Sequence, residues 1–196
     1  VLNGIIVDPH SAFLPAALSH ETRSLLYGLT VGIFMISWFF GAAILGDLSD
    51  TVGRKKALLI CLVGAFLGYL LSAFAVIWHS LLFIIVGRII AGFTAGSQPI
   101  AQAVIVDVSS SKHKARNIGF ILLAISLGFI VGPIIGGLLS DSLLVSWFNF
   151  STPLYFAAGI SFLNAILLKV YFKETFSKTG KVRIRFHHAV NIFISA

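Results

Sequence analysis

The sequence predicts an all-α integral membrane protein organised as a six-helix bundle, and three observations lead there. Of its 196 residues, 58% are apolar and 11% charged, against about 45–50% and about 25% in soluble globular chains. Its mean hydropathy is +0.99. The charges also cluster: Ser24 to Gly46, Ala57 to Gly87, Ile89 to Val106, Ile118 to Ser140 and Ser142 to Leu168 contain no Asp, Glu, Lys or Arg. A bilayer-spanning helix needs about 20 apolar residues, so each run has the length of a span. Cys61 is the sole cysteine, which excludes an intrachain disulfide or a cysteine metal site. No nucleophile–base pair, metal cluster or phosphate loop stands at a readable spacing, so the chain does not read as an enzyme and needs no metal.

Helix one is placed at about Val1–Leu18 and is expected to lack its beginning, since the chain enters an apolar run directly, without an initiator Met. The remaining spans fall near Leu25–Leu45, Ala57–Val76, Leu81–Val106, Ile118–Leu139 and Pro153–Tyr171. The uncharged run from Ala57 to Gly87 is too long for one span, and Ile77-Trp78-His79-Ser80 divides it. Residues 1–172 therefore form the transmembrane bundle. Residues 173–188 are polar and basic, as in an inter-domain loop lying on an anionic cytoplasmic surface. Residues 189–196 look like the start of helix seven, so the chain is expected to be an internal piece of a longer membrane protein.

Lys and Arg alternate in density between successive loops. Arg54, Lys55 and Lys56 follow helix two; Lys112, Lys114 and Arg116 follow helix four; Lys169, Lys173, Lys178, Lys181, Arg183 and Arg185 close helix six. The opposite loops contain only Arg23. Cytoplasmic loops carry the Lys/Arg excess, which puts these three basic loops and the amino terminus in the cytoplasm of a multi-pass cell-membrane protein. The net charge of +7 then reports topology, and no nucleic-acid partner is implied.

The loop after helix two reads Gly46-Asp47-Leu48-Ser49-Asp50-Thr51-Val52-Gly53-Arg54-Lys55-Lys56. Its two glycines permit a tight turn and close helix approach, while Asp50 and Arg54 suit charge pairing at a helix end. An ordinary basic loop explains Arg54 to Lys56 but not Gly, Leu, Asp and Gly at these offsets. This stretch resembles the G-x-L-a-D-r-x-G-r-k signature of the major facilitator superfamily, matched by Gly46, Leu48, Asp50, Gly53, Arg54 and Lys55. Thr51 stands in place of the usual Arg and Ser49 of the usual Ala. The resemblance implies the amino-terminal six-helix half of a 12-helix major facilitator fold, with this loop as a gate whose charge network resets as the transporter changes facing.

Arg88 stands about 10 Å inside helix four at 1.5 Å per residue. An Arg at the bilayer centre costs on the order of 2.5–3.5 kcal/mol. It either faces a bundle interior or wet cavity, or snorkels to the interface. At about 100° per residue, Ala91, Gly92, Ala95, Gln98 and Gln102 share or flank its face, and Gly92 and Gly96 form a small-xxx-small pair. Arg88-x-x-x-Gly92 resembles the family's fourth-helix motif, whose Arg is associated with proton transfer, although Ala91 replaces a common Gln. Asp107 matches an acid common at this place in tetracycline-type relatives; in this chain the alternatives are a pair with Arg54, a pair with Arg116, or a solvated loop aspartate.

Helix five contains Gly119, Gly128, Gly132-Pro133 and Gly136-Gly137. Gly costs about 1 kcal/mol and Pro about 3 kcal/mol within a soluble helix, so this run calls for a packing reason. Gly128, Gly132 and Gly136 make a groove for a neighbouring backbone, and Pro133 bends the helix into a pivot. The run resembles the fifth-helix signature of the superfamily's drug/proton antiporters, without a gap. In helix one, Asp8 is a second membrane-depth charge that desolvation pushes toward its neutral form, a candidate proton carrier. The family's essential acid falls on Asn3 when counted back from Pro15, so the role transfers to Asp8 only loosely. Asn3 and His10 share a face and are candidate cavity residues.

Together these features imply a proton-coupled antiporter that exports drugs or small amphiphiles by alternating access between this half and a missing carboxy-terminal six-helix half. Arg88 and Asp8 are its proton-coupling residues; Asn3, Gln98 and Gln102 its cavity residues. Gly46, Asp50, Gly53, Arg54, Lys55, Asp107 and Arg116 form its gate, and the helix-five glycines with Pro133 its pivot. Its partners are protons, a small-molecule substrate and the lipid bilayer; the proton gradient takes the place of a cofactor. A proton-coupled nutrient importer of the same fold and a non-transporting membrane sensor or scaffold are the alternatives.

Overall fold

The computed structural model describes residues 1–175 apart from 10, 12 and 16. Among them run seven helices: α1 (Leu2–Ile6), α2 (His20–Val52), α3 (Arg54–Ile77), α4 (Leu81–Thr94), α5 (Ser97–Val108), α6 (Lys114–Leu138) and α7 (Thr152–Tyr171). Taking α4 and α5 as one segment, Leu81–Val108, five spans are long and apolar enough to cross a membrane. Residues 176–196, which hold the expected start of helix seven and most of the preceding loop, lie outside the described residues.

Helix α2 begins at Ser19, whose side chain accepts the Thr22 N–H, an N-cap that satisfies one orphan donor. Its 33 residues span about 50 Å, against a hydrocarbon core of about 30 Å. The expected span Leu25–Leu45 is therefore only its middle. The helix runs through Gly46 and stops at Gly53, whose φ of 100° takes the chain out of helical geometry. Arg54 starts α3 at once, so the corner is one residue wide.

Helix α4 packs against both α2 and α3, and α7 covers another face of α3. Small residues make the α2–α4–α3 contact possible. A Cβ at Gly92 or Gly96 would run into the backbone of α2 at Phe34 or at Gly41–Ala42, and one at Gly68 would press on Ala91 and Gly87 of α4. The helix approached through Gly92 and Gly96 is thus α2. Two apolar clusters close the bundle at its ends. Leu45, Ala57, Leu58, Cys61, Ile100 and Val104 pack near Arg54; Ile5, Ile6, Phe13, Ala75 and Ile84 pack at the opposite end.

Three expectations need correction. Helix one is not a span from Val1 to Leu18: α1 has five residues, and none of the described residues from Val7 to Ser19 is helical. Asp8 and Pro9 end the helical run, and Arg23 binds the carbonyls that a longer helix would have used internally. Helix four is not continuous either, breaking at Ala95–Gly96 where its backbone meets that of α2. Helix five forms as α6, with Pro133 inside it, but its glycines do not receive a neighbouring backbone. A Cβ at Gly119, Gly128, Gly132 or Gly137 would meet nothing within 4 Å, and one at Gly136 only the Val1 side chain at 3.9 Å. The short α1 reaches this face through Val1 alone, which leaves it open among the described residues.

Candidate functional site

A groove lies between α2 and α5. Met35, Trp38, Phe39, Ala42 and Ala43 form one wall, and Gln98, Pro99 and Gln102 the other, around about 580 Å³. Gln98 and Gln102 share a face of α5 because they are four residues apart. Two amides set among aromatic and thioether surface can offer hydrogen bonds beside apolar packing surface. A second cavity of about 360 Å³ shares Ala42, Ala43 and Pro99 with it and continues to Gly46, Asp47, Ser49, Asp50 and Arg54. One seam therefore runs from the amides to the α2–α3 corner.

At that corner Arg54 gathers its partners. Its Nη1 donates to the Asp50 carboxylate one helical turn back and, at 2.6 Å, to Ser49 Oγ; its Nε donates to Asp107 Oδ2 at 3.3 Å. Ser49 is fully buried, and its hydroxyl also donates to Gly46 O at 2.7 Å. A third acid enters from far along the chain: Glu174 accepts the N–H of Arg54 at 3.0 Å and of Lys55 at 3.1 Å. These are orphan donors of the first turn of α3, where a carboxylate also complements the helix dipole. A side chain at Gly53 would collide with Glu174. The corner thus joins α2, α3, α5 and the segment after α7. Arg116 is exposed on the first turn of α6, so of the two bases considered for Asp107 the ion pair is with Arg54.

Arg88 points inward from α4, its guanidinium carbon 4.1 Å from the Phe34 ring centroid of α2, a cation–π contact. Tyr27 and Tyr69 lie within electrostatic range, and Nε is buried with no hydrogen-bond partner. Arg88 is not among the residues that line the groove with Gln98 and Gln102. Asp8 is exposed in the segment after α1, where Arg23 binds its carbonyl, and Asn3 is exposed on α1. His10 lies outside the described residues. Gly132 and Gly136 line a cleft of about 370 Å³ with Tyr69 of α3 and Pro153, Phe156 and Ser161 of α7.

Three residues carry more of this arrangement than the sequence suggested. Ser49 reads only as a small residue replacing Ala. Glu174 is 120 residues from its partner, and no local pattern links them. Arg23 reads as a loop charge, yet it is 1% exposed and donates to four backbone carbonyls.

The family model described as Major Facilitator Superfamily matches residues 1–191. The chain is 34% identical over 182 residues to the class H tetracycline resistance protein of Pasteurella multocida, covering 93% of this chain and 43% of that one. It is 33% identical over 141 residues to the quinolone resistance protein NorA of Staphylococcus aureus, covering 71% and 34%. The chain thus spans less than half the length of these relatives. Among solved structures, the fold matches the proton:xylose symporter XylE with a TM-score of 0.74 at 20% identity, over 89% of this chain and 39% of that one. It matches the human organic anion transporter MFSD10 with a TM-score of 0.70 at 24% identity, over the same shares. With apolar spans, fold and family model in agreement, this multi-pass membrane chain belongs to the major facilitator superfamily, a family of transporters rather than enzymes.

Proposed function

We propose that the chain is the amino-terminal six-helix half of a proton-coupled antiporter that exports drugs or small amphiphiles by alternating access. The observation that carries this reading is the continuous seam from the amide-and-aromatic groove at Gln98 and Gln102 to the ion-paired corner at Arg54. It joins a site for an uncharged amphiphilic surface to a switchable contact at a helix end. Names of relatives that confer tetracycline and quinolone resistance favour export of such compounds.

In this reading the Arg54 end is cytoplasmic, in keeping with its excess of Lys and Arg. Residues 1–172 are the bundle, 173–188 the inter-domain loop and 189–196 the start of helix seven. Gly46, Asp50, Gly53, Arg54, Lys55 and Asp107 act as the gate, with Arg116 flanking it. Arg88 is the buried member of the proton-coupling pair, and Asp8 exchanges protons at the opposite end. Gln98 and Gln102 hold substrate, with Asn3 at the edge of the cavity, and Gly119, Gly128, Gly132, Pro133, Gly136 and Gly137 form the pivot against the other half. No cofactor is required beyond the proton gradient.

The test is transport by the intact protein in proteoliposomes with an imposed proton gradient. Gln98→Leu with Gln102→Leu is expected to raise the substrate KM at least about tenfold, the loss of roughly 1.4 kcal/mol of binding. Substrate accumulation on the same side as the entering protons would replace export with uptake. Unchanged KM would remove the groove from the substrate path.

A further inference from the structure

Arg23 is the largest fully buried side chain among the described residues, and it has no ion pair among them. A buried cation is costly unless its donors are satisfied. Here backbone carbonyls replace a carboxylate at the two terminal nitrogens, while Nε is buried without a hydrogen-bond partner. Nη1 donates to Ile6 O at 3.3 Å and Asp8 O at 3.1 Å; Nη2 donates to Leu14 O at 3.3 Å and Pro15 O at 2.9 Å. One nitrogen thus holds the end of α1 and the other holds the far side of the irregular segment, so the guanidinium ties the two ends of residues 6–15 together. Phe13 in between is buried and rests on the His79 ring, 6.1 Å between centroids, and Ser11 Oγ donates to Ile5 O at 2.6 Å.

We propose that Arg23 is a positioning residue, whose guanidinium fixes the 7–15 segment across the end of the bundle opposite Arg54 and thereby sets the place of Asp8. The inference deepens the proposed function, in which Asp8 exchanges protons at that end. The chemistry favours Arg specifically. A planar fork reaches carbonyls in two directions at once, whereas the Lys ammonium is a point charge and the Gln amide has a single nitrogen.

The test uses the full-length protein with Arg23→Gln and Arg23→Lys. Hydrogen exchange reads the clamp without reference to transport, through the amides of Ser11 and Leu18, which bond to Asp8 O and Pro15 O. Exchange at both is expected to rise at least about tenfold in Arg23→Gln and less in Arg23→Lys, with α3 unchanged, a loss of at least about 1.4 kcal/mol of protection. Proton-driven efflux by Arg23→Gln is expected to fall at least about tenfold, while substrate counterflow, which needs no proton gradient, stays near wild type. Unchanged exchange overturns the clamp. Loss of protection with intact proton-driven efflux overturns the positioning role, and so does an equal fall in efflux and counterflow. If Arg23→Gln does not insert, Arg23→Lys decides by the same measurements. A wild-type protein that transports nothing would sink the proposed function, while the exchange data would still decide the clamp.

Discussion

Two helices of this bundle carry small residues at similar spacing, and they are used in opposite ways. On α4 and its continuation, Gly92 and Gly96 bring the helix onto the backbone of α2 so closely that a methyl group has no room. On α6, Gly128 and Gly132 face open space, Gly136 meets only the tip of Val1, and no residue of the helix is buried. Phe120, Phe129, Ile130 and Ile134 around them are more than half exposed. In lipid such side chains are at home, because lipid tails are as apolar as they are and association rests on packing. Small-residue spacing therefore gives permission for contact. A partner has to supply the contact itself.

The largest effect that would break this contrast is at the packed glycines. Gly92→Leu or Gly96→Leu is expected to abolish the folded protein, because the obstacle is backbone and cannot rotate away; overpacking already costs about 1–3 kcal/mol where side chains can yield. Fluorescence-detected size exclusion of the full-length protein in detergent reads this directly. A monodisperse peak at wild-type yield for both variants would erase the distinction.

The open glycines sharpen it from the other side. Gly132→Leu with Gly136→Leu is expected to leave the thermal midpoint within about 2 °C, as for an exposed substitution worth about 0.5 kcal/mol. Efflux by the same variant is expected to drop at least about tenfold, roughly 1.4 kcal/mol in the transport barrier, if this face is the pivot. Full efflux would assign the run to lipid contact alone.

The α2–α3 corner lies between these extremes, being packed by charge rather than by shape. Asp107→Asn removes an ion pair of Arg54 at a partly exposed site, so stability is expected to change by about 1 kcal/mol or less. Its signature is a faster exchange between facings, seen as increased counterflow at unchanged substrate KM. The smallest change is expected for Glu174→Gln, which keeps an acceptor for the Arg54 and Lys55 amides but loses the charge–dipole interaction, about 0.3–1 kcal/mol. A midpoint shift larger for Glu174→Gln than for Asp107→Asn would reverse this ranking.

Much of the site was readable where chemistry is local in the chain. Asp50 and Arg54 are four residues apart and meet as helix spacing requires. Gln98 and Gln102 reach one groove for the same reason. The Arg54–Asp107 pair was one of three readings of Asp107, and geometry chose it. Glu174 and the clamp on Arg23 were not readable, because each consists of a side chain meeting backbone groups, which every residue carries and no motif marks. The break of helix four was hidden too, since Ala95 and Gly96 look like ordinary small residues until α2 presses on them.

What the sequence determined by itself was the membrane as solvent, the number of long apolar segments after helix one and the Asp50–Arg54 pairing at the α2–α3 corner. Uncharged runs of span length and close-range charge spacing are properties of the chain alone. What only the tertiary structure decided was which small residues touch, where Arg88 points, and that the helix-one region is a short helix followed by a strapped irregular segment. Those outcomes depend on whether a second backbone arrives within van der Waals distance, and that is a property of two segments at once.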